Sequence, residues 1–125
     1  MATPWCYLLF RSNLPIVSHS PSLTPYCPRY HRAMQIMGPR WTPEIIRALL
    51  AGTSRFGEIR HAVPGLSDRM LSERLRTLEA EGLVSRSVVP ARPPRVDYHL
   101  TDKGKALASV VAEVARWADT WLTDT

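Results

Sequence analysis

The sequence predicts a mainly α fold with a small β-hairpin, and two adjoining segments carry this prediction. In the first, residues 67–82, Leu71, Leu75 and Leu78 fall in one narrow sector of a helix. The second, residues 83–100, has two stretches rich in β-branched residues around a proline-rich tip. A helix that leads directly into a hairpin, with shorter helices before it, is the arrangement of a winged helix-turn-helix.

Three shorter helices are expected before this segment. The first should span residues 29–37 and end at Gly38, and the second should begin with Thr42 as its N-cap. The third should cover residues 55–63, with a turn at Pro64-Gly65 leading into the next helix. The apolar side chains expected to face inward are Met34, Met37, Ile45, Ile46, Leu49, Leu50, Phe56, Ile59 and Val63.

The helix after this turn has signals at both ends and a polar outer side. Ser67 is placed to accept a hydrogen bond from a first-turn amide, and Gly82 is placed to end the helix in a left-handed conformation. The side chains that point away from the leucines are those of Arg69, Ser72, Glu73 and Arg76. This outer side is free to bind another molecule, and arginine can bond guanine O6 and N7 together. The alternative is a solvated face on which Glu73 pairs with the two arginines.

The hairpin that follows is expected to have strands over residues 83–89 and 96–100. Its tip carries Arg92 and Arg95. A helix fits a major groove about 12 Å wide while such a tip reaches phosphate or the neighbouring minor groove. The alternative for the two arginines is a tip kept basic for solubility.

A long last helix, over about residues 102–122 with Thr101 as its cap, carries an apolar stripe too large for so small a core. Two tryptophans at its far end would be costly to leave in water, so we expect this helix to pair with a second copy of the chain. The alternative is a stripe folded back on its own domain. The residues expected at the dimer interface are Leu107, Val110, Val111, Val114, Trp117 and Trp121.

Residues 1–25 are rich in proline and serine, which predicts a disordered N-terminal arm before a domain over residues 26–125. An alternative is that natural translation begins near Val17. The apolar run over residues 5–10 is too short for a membrane span and lacks a basic leader. We therefore expect no membrane segment and a cytoplasmic protein.

The charge of the chain is weak support for DNA binding. The formal net charge is +5 and the isoelectric point is about 9.8, but no acidic residue precedes Glu44. Residues 55–99 carry eight arginines against six acidic residues, so the helix-turn-helix and hairpin are nearly balanced. The prediction of double-stranded DNA as partner therefore rests on geometry.

The chemistry-bearing residues do not form a catalytic or metal site. The two cysteines lack zinc-ligand spacing, the four histidines are scattered, and no nucleophile elbow or glycine-rich phosphate loop occurs. We expect no cofactor, no metal and no enzymatic activity.

Cys27 is the candidate sensor residue. It lies just before the first helix, and Arg29 and His31 are near it in sequence, a setting that favours the thiolate. The alternative is a small apolar residue packed at the dimer interface. If Cys27 is oxidised, Cys6 or a second Cys27 could be its partner.

Several segments together carry a family resemblance. They are Cys27-Pro28, Gly38-Pro39-Arg40-Trp41-Thr42, Arg55-Phe56-Gly57-Glu58-Ile59, Pro64-Gly65-Leu66-Ser67, Arg74-Leu75-Arg76-Thr77-Leu78-Glu79, Gly82-Leu83-Val84, Pro93-Pro94-Arg95-Val96-Asp97-Tyr98 and Leu100-Thr101-Asp102-Lys103-Gly104. In this order and spacing the chain resembles the HxlR-type branch of the MarR-like winged-helix regulators, over roughly residues 27–122.

This resemblance implies a transcription factor that binds operator DNA as a homodimer, with the terminal helices as the usual pairing elements. It also implies that some members sense oxidants or electrophiles through a cysteine before a proline near the N-terminus, here Cys27. The chain departs from the family pattern at Pro39, Arg40 and Arg92. The first two positions affect the turn between the first two helices, and Arg92 should raise the affinity of the hairpin for phosphate.

The predicted function is therefore that of a sequence-specific, homodimeric DNA-binding regulator that is redox- or electrophile-responsive through Cys27. The DNA-binding residues predicted are Ser67, Arg69, Ser72, Glu73, Arg76, Arg92 and Arg95. One alternative is a regulator with a structural Cys27 and a small-molecule effector between the dimer helices and the DNA-binding part. Another is a winged helix that binds protein, which would need apolar groups on the outer side of the helix.

Overall fold

Six helices and one hairpin form the regular structure of residues 24–122, which the computed structural model describes. The chain divides into two compact units, one ending at Pro39 and the other beginning at Arg40. The first unit contains α1 (Pro28–Met37). The second contains, in order, α2 (Thr42–Leu50), α3 (Phe56–Ala62), α4 (Asp68–Ala80), β1 (Val84–Val89), β2 (Arg95–Leu100), α5 (Asp102–Lys105) and α6 (Ala108–Trp121).

The core of the second unit forms where α2, α3 and α4 bury their apolar sides. Leu71, Leu75 and Leu78 of α4 are at most 1% exposed, as their spacing predicts. Ile45 and Ile46 of α2 are fully buried with them, as is the isoleucine of α3. Burial of such a side chain contributes about 1.5–3 kcal/mol, so this small cluster accounts for much of the stability of the helix-turn-helix.

The hairpin is antiparallel and is anchored at its base. Its register runs from Val84 opposite Leu100 to Val89 opposite Arg95. A third extended segment, Ser54 and Arg55, joins the outer edge of β2. The amide of Tyr98 donates to the carbonyl of Ser54 at 2.7 Å. The strand β2 is therefore held on both sides near its middle.

The C-terminal helix differs from the prediction in one respect. The expected single helix over about residues 102–122 is interrupted at Ala106 and Leu107, where the amide of Leu107 donates to Gly104 three residues back. Thr101 caps the short α5, as predicted, by accepting from the amide of Gly104 at 3.1 Å. A Cβ on Gly104 would lie 2.2 Å from the carbonyl oxygen of Leu83, so α5 packs directly on the chain before β1. This close packing fixes α5, and the long helix α6 starts only after the turn.

The start of α2 also differs from the prediction. Thr42 is not the N-cap but the first residue of the helix, and it is 2% exposed. The N-cap is Trp41, which has a left-handed backbone with φ of 80°. The Trp41 ring packs against the turn before α4, since a Cβ on Gly65 would lie 3.2 Å from its Cη2 atom. The guanidinium of Arg40 stacks 4.8 Å from the ring centroid. Tertiary packing of Trp41, rather than a side-chain cap, therefore sets this helix end.

The first unit buries less of its helix than predicted. Met34, expected to face inward, is 45% exposed, and α1 has no buried residue. The predicted arm over residues 1–25 lies outside the described residues except for its last two. Among residues 24–122, no helix combines the length and apolar character needed to cross a membrane.

Glu58 ties the third extended segment to α3. Its Oε1 accepts from the amides of Arg55 at 3.1 Å and Ser54 at 3.2 Å. The hydrogen bond from Arg55 is the larger cause, and that from Ser54 the next, of a pKa of Glu58 below its ordinary value. Because the folded state favours the ionised carboxylate, this contribution to stability is present at neutral pH and is lost as the pH falls through the folded-state pKa.

Replacement of Glu58 tests this link. We expect Glu58→Gln to unfold at lower urea concentration than the wild type at neutral pH, and Glu58→Ala at lower concentration still, because the amide oxygen of Gln can accept one of the bonds. As the pH is lowered from neutral to below about 4.5, the ordinary value for Glu58, the difference between wild type and Glu58→Gln should shrink. A difference that stays constant across that pH range would contradict the assignment.

Candidate nucleic-acid interface

The helix α4 is fixed at both ends by local contacts. The Ser67 hydroxyl accepts from the amide of Met70 at 3.1 Å, which confirms it as the N-cap. Gly82 has a φ of 79° and follows the last turn, as predicted. With its leucines buried, the helix can present only its opposite side to another molecule.

That opposite side, which we call the outer face of α4, consists of Arg69, Ser72, Glu73 and Arg76. The Arg69 side chain is 89% exposed and its Nε lies 3.3 Å from Glu73 Oε2. Exposed pairs of this kind contribute about 0.2–1 kcal/mol, so the Arg69 side chain can leave Glu73 at little cost. Arg76 is exposed and has no ion pair within residues 24–122. The alternative, in which Glu73 pairs with both arginines, therefore holds for Arg69 only.

Two further arginines hold α4 in place. Arg74 Nε donates to the carbonyl of Arg40 at 2.8 Å, which links the helix to the start of α2. Arg60 Nε lies 2.8 Å from Asp68 Oδ1 and links the end of α3 to the first turn of α4. These contacts were not predicted, since the partners are far apart in sequence or separated by a turn.

The two arginines expected at the hairpin tip occupy different places. Arg92 lies in the exposed loop between the strands, as expected. Arg95 instead begins β2, where it pairs with Val89, and its Nε lies 3.2 Å from Oδ1 of the buried Asp97. The Arg95 side chain is still 42% exposed. Arg92 is thus the more available of the two for a phosphate.

A groove separates α4 from the hairpin and contains residues that the sequence analysis missed. Its volume is about 320 Å³. Arg86 and Tyr98 are directly opposite each other in the register, so their side chains leave the same face of the hairpin. The strand alternation could have placed them on one face, but not beside α4. The residues lining this α4–hairpin groove are Ser72, Arg76, Glu79, Arg86 and Tyr98.

A second cavity of about 510 Å³ lies beside the end of β2. It opens between the end of α2, the end of β2 and α5, and both Tyr98 and Lys105 line it. Its wall combines apolar side chains such as Leu49 and Leu100 with the polar His99. The predicted effector pocket was expected beside the dimer helices, whereas this cavity is bordered by α5 and not by α6.

Cys27 lies in the first unit and is 8% exposed. It has an extended backbone directly before α1, and its carbonyl accepts from the amide of His31 at 2.9 Å. The His31 ring stands 5.7 Å from that of Tyr26. The sulfur of Cys27 is disulfide-bonded. Cys6, named above as one potential partner, lies outside the described residues.

The apolar stripe predicted on the last helix is largely uncovered in a single chain. The α6 helix contacts α2, and Leu107 and Val111 are half-buried. The rest of the stripe remains in solvent, with exposed fractions of 42% for Val110, 64% for Val114, 57% for Trp117 and 69% for Trp121. Folding back on the same domain therefore covers only the beginning of the stripe.

Residues 24–122 contain no group of three histidine, cysteine, aspartate or glutamate side chains that could hold a metal ion.

Sequence comparison places this geometry among known regulators. The profile of the HxlR-like helix-turn-helix family matches residues 36–125. The HTH-type transcriptional regulator YvaP of Bacillus subtilis is 51% identical over 96 residues, which are 77% of this chain and 89% of YvaP. The family match spans the whole of the helix-turn-helix and hairpin, so the similarity is not confined to one motif.

Two redox regulators of known structure are also similar. The reduced form of YodB from B. subtilis superposes with a TM-score of 0.68 and 42% identity, and covers 78% of this chain and 96% of YodB. The quinone-bound form of YodB has a TM-score of 0.66 and 41% identity, with 77% of this chain and all of that one covered. The oxidised redox regulator HypR has a TM-score of 0.72 and 32% identity, with coverage of 78% and 99%.

These similarities confirm the predicted fold class, a winged helix-turn-helix with a two-stranded hairpin and a long C-terminal helix. They also confirm that the protein is a regulator rather than an enzyme. The chain belongs to the HxlR-like helix-turn-helix family of transcriptional regulators.

Proposed function

We propose that this protein is a homodimeric, sequence-specific DNA-binding regulator whose α4 enters the major groove and whose DNA affinity responds to oxidation or electrophiles at Cys27. One observation carries the DNA-binding part. The apolar side of α4 is fully buried while its outer face is polar and solvent-accessible beside a hairpin. A helix about 10–12 Å across matches a major groove of about the same width.

On this proposal, the outer face of α4 supplies the base contacts. Arg69 and Arg76 can each bond guanine O6 and N7, and Ser72 between them can bond any base edge. The Ser67 hydroxyl caps the helix at the amide of Met70, and the remaining amides of the first turn lie at a helix end that favours a backbone phosphate. Arg92, and to a lesser degree Arg95, supply charge to the DNA backbone from the hairpin.

The same outer face argues against a protein-binding winged helix. Protein interfaces have apolar or aromatic centres and are depleted of glutamate and serine. The outer face of α4 has no apolar residue and contains both a serine and a glutamate. Because residues 55–99 have nearly balanced charge, specificity on this proposal comes from where these side chains point rather than from general attraction to DNA.

The uncovered stripe on α6 supports a homodimer. Two tryptophans and two valines at more than 40% exposure form an apolar patch of the kind that monomers rarely leave in water. A second copy paired through α6 would cover them and would place two α4 helices on half-sites about 34 Å apart. The predicted interface residues Leu107 and Val111 would lie at the edge nearest the core.

Cys27 supports the regulatory part of the proposal. Its sulfur is disulfide-bonded here, and it occupies the cysteine-proline position before the first helix. YodB has been solved in reduced and quinone-bound forms, and HypR in oxidised form. We extend the redox regulation named for HypR, and the quinone binding of YodB, to this protein. A small-molecule effector is the second candidate, which the cavity of about 510 Å³ favours.

The role of the outer face is tested with Arg69→Ala. We expect it to weaken binding to a duplex from upstream of its own gene by about 1–3 kcal/mol, with little effect on a scrambled duplex. The matched control is Arg116→Ala, which removes an exposed helical arginine paired with a glutamate on α6. Equal effects of the two substitutions on the upstream duplex would remove Arg69 from the base-contacting residues.

Pairing through α6 is tested with Trp117→Ala. The wild-type chain of 14.1 kDa should sediment at twice that mass, and Trp117→Ala should weaken the dimer by about 2 kcal/mol or more, as expected for a central aromatic contact. Asp119→Ala, an exposed change on the same helix, should leave the dimer intact. A monomeric wild type, or equal behaviour of the two variants, would contradict the assignment.

Regulation through Cys27 is tested by treating the reduced protein with diamide or a quinone. The affinity of the wild type for the upstream duplex should change by about 5- to 150-fold, the usual range for coupling between sites. Cys27→Ser should not respond. In the Cys6→Ser variant, only a bond between two copies of Cys27 can form, so a disulfide-linked dimer of this variant in a non-reducing gel identifies that pairing. Equal responses of the wild type and Cys27→Ser would exclude this cysteine as the sensor.

A further inference from the structure

The face of the hairpin that turns towards α4 is apolar at its base, and the next residue pair on that face is charged and aromatic. At its base, Val84 is 2% exposed and its partner Leu100 is half-buried. The next pair on the same face is Arg86 with Tyr98, and this pair lines the α4–hairpin groove. A charged and an aromatic side chain thus stand where the two strands leave the core.

The opposite wall of this groove is formed by α4. Ser72, Arg76 and Glu79 follow each other at steps of four and three residues, so they lie on one side of the helix. The volume of about 320 Å³ is about ten times that of a water molecule in the liquid. A phosphodiester group therefore fits between the helix and the hairpin.

The donors around the groove have no partners within the described residues. Neither Arg76 nor Arg86 forms an ion pair there, although Glu79 shares the groove with both. The hydroxyls of Ser72 and Tyr98 likewise have no hydrogen-bond partner in residues 24–122. Other arginines near α4 already form an ion pair or a hydrogen bond, including Arg60, Arg74 and Arg95. Within residues 24–122, the groove thus combines two guanidinium groups that have no ion pair with two hydroxyls that have no hydrogen-bond partner.

The backbone that carries Tyr98 is rigidly held. Its amide donates to Ser54 at 2.7 Å on one side, and its strand pairs with β1 on the other. The hairpin can therefore present Arg86 and Tyr98 without ordering a loop on binding, which reduces the entropic cost of the contact.

From these observations, and resting on the proposed DNA binding, we propose that the α4–hairpin groove is a binding site for one backbone phosphate of the DNA in each half-site. Arg86 and the Tyr98 hydroxyl donate to the phosphate oxygens. This contact sets the depth and register of α4, so that Ser72 and Arg76 meet base edges. Phosphate contacts position a protein while base contacts specify the sequence, so the two roles are separable by experiment.

The test compares the wild type with Arg86→Gln on two duplexes, one from upstream of its own gene and one with the same composition in scrambled order. We expect Arg86→Gln to weaken binding to both by a similar factor, about tenfold or more, because a charge-assisted bond is lost. The slope of log affinity against log salt should fall by about 0.9 for each subunit. Arg86→Lys should keep most of that slope.

Two further variants make the result specific. Arg116→Gln removes the same charge from α6, where the side chain is exposed, and should leave the slope unchanged. Tyr98→Phe keeps the ring and should weaken binding to both duplexes without changing the slope. Thermal unfolding of each variant at the wild-type temperature shows that the fold is kept.

The proposal is overturned if Arg86→Gln behaves like Arg116→Gln. It is also overturned if Arg86→Gln weakens binding to the upstream duplex alone, which is the signature of a base contact. A wild type that binds both duplexes equally would contradict the proposed sequence specificity, and the salt slope of Arg86→Gln would still decide the phosphate site.

Discussion

Burial of one leucine row fixes the rotation of α4, and the remaining functional geometry depends on that rotation. Leu71, Leu75 and Leu78 are almost completely removed from water, as are the isoleucines of α2 and α3. With about 1.5–3 kcal/mol from each buried side chain, a turn of the helix about its axis would be strongly unfavourable. The direction of the outer face thus follows from the core and needs no support from the DNA.

Contacts just before α4 and at its middle fix its remaining degrees of freedom. The Trp41 ring packs on Gly65 in the turn before the helix. From the helix, Arg74 donates a hydrogen bond to the carbonyl of Arg40. Both contacts converge on the first residues of the second unit.

Local signals predicted most of the fold correctly because they act within a few residues. The Ser67 cap, the left-handed Gly82 and the leucine spacing each needed only the neighbouring sequence. The errors arose where distant packing decides. Trp41 displaced Thr42 as the cap, because its ring packs on a turn more than twenty residues away. Likewise Gly104 holds α5 against Leu83, which interrupts the expected long helix.

The site could be predicted only in part for the same reason. The outer face of α4 follows from helical periodicity alone. Arg86 and Tyr98 were missed because their place depends on strand register and on how the hairpin leans against α4, which no short-range pattern encodes. Arg95 was placed at the tip because the second strand was expected to begin one residue later than it does.

The central claim, that α4 reads bases in the major groove, is tested most directly by dimethyl sulfate footprinting, since this reagent methylates guanine N7 there. On DNA from upstream of its own gene, the wild type should protect guanines in two stretches about 34 Å apart, one helical turn. Arg76→Ala should restore reactivity at one guanine position in each stretch. Protection of the sugar-phosphate backbone from hydroxyl radicals without any change in guanine N7 reactivity would contradict the account.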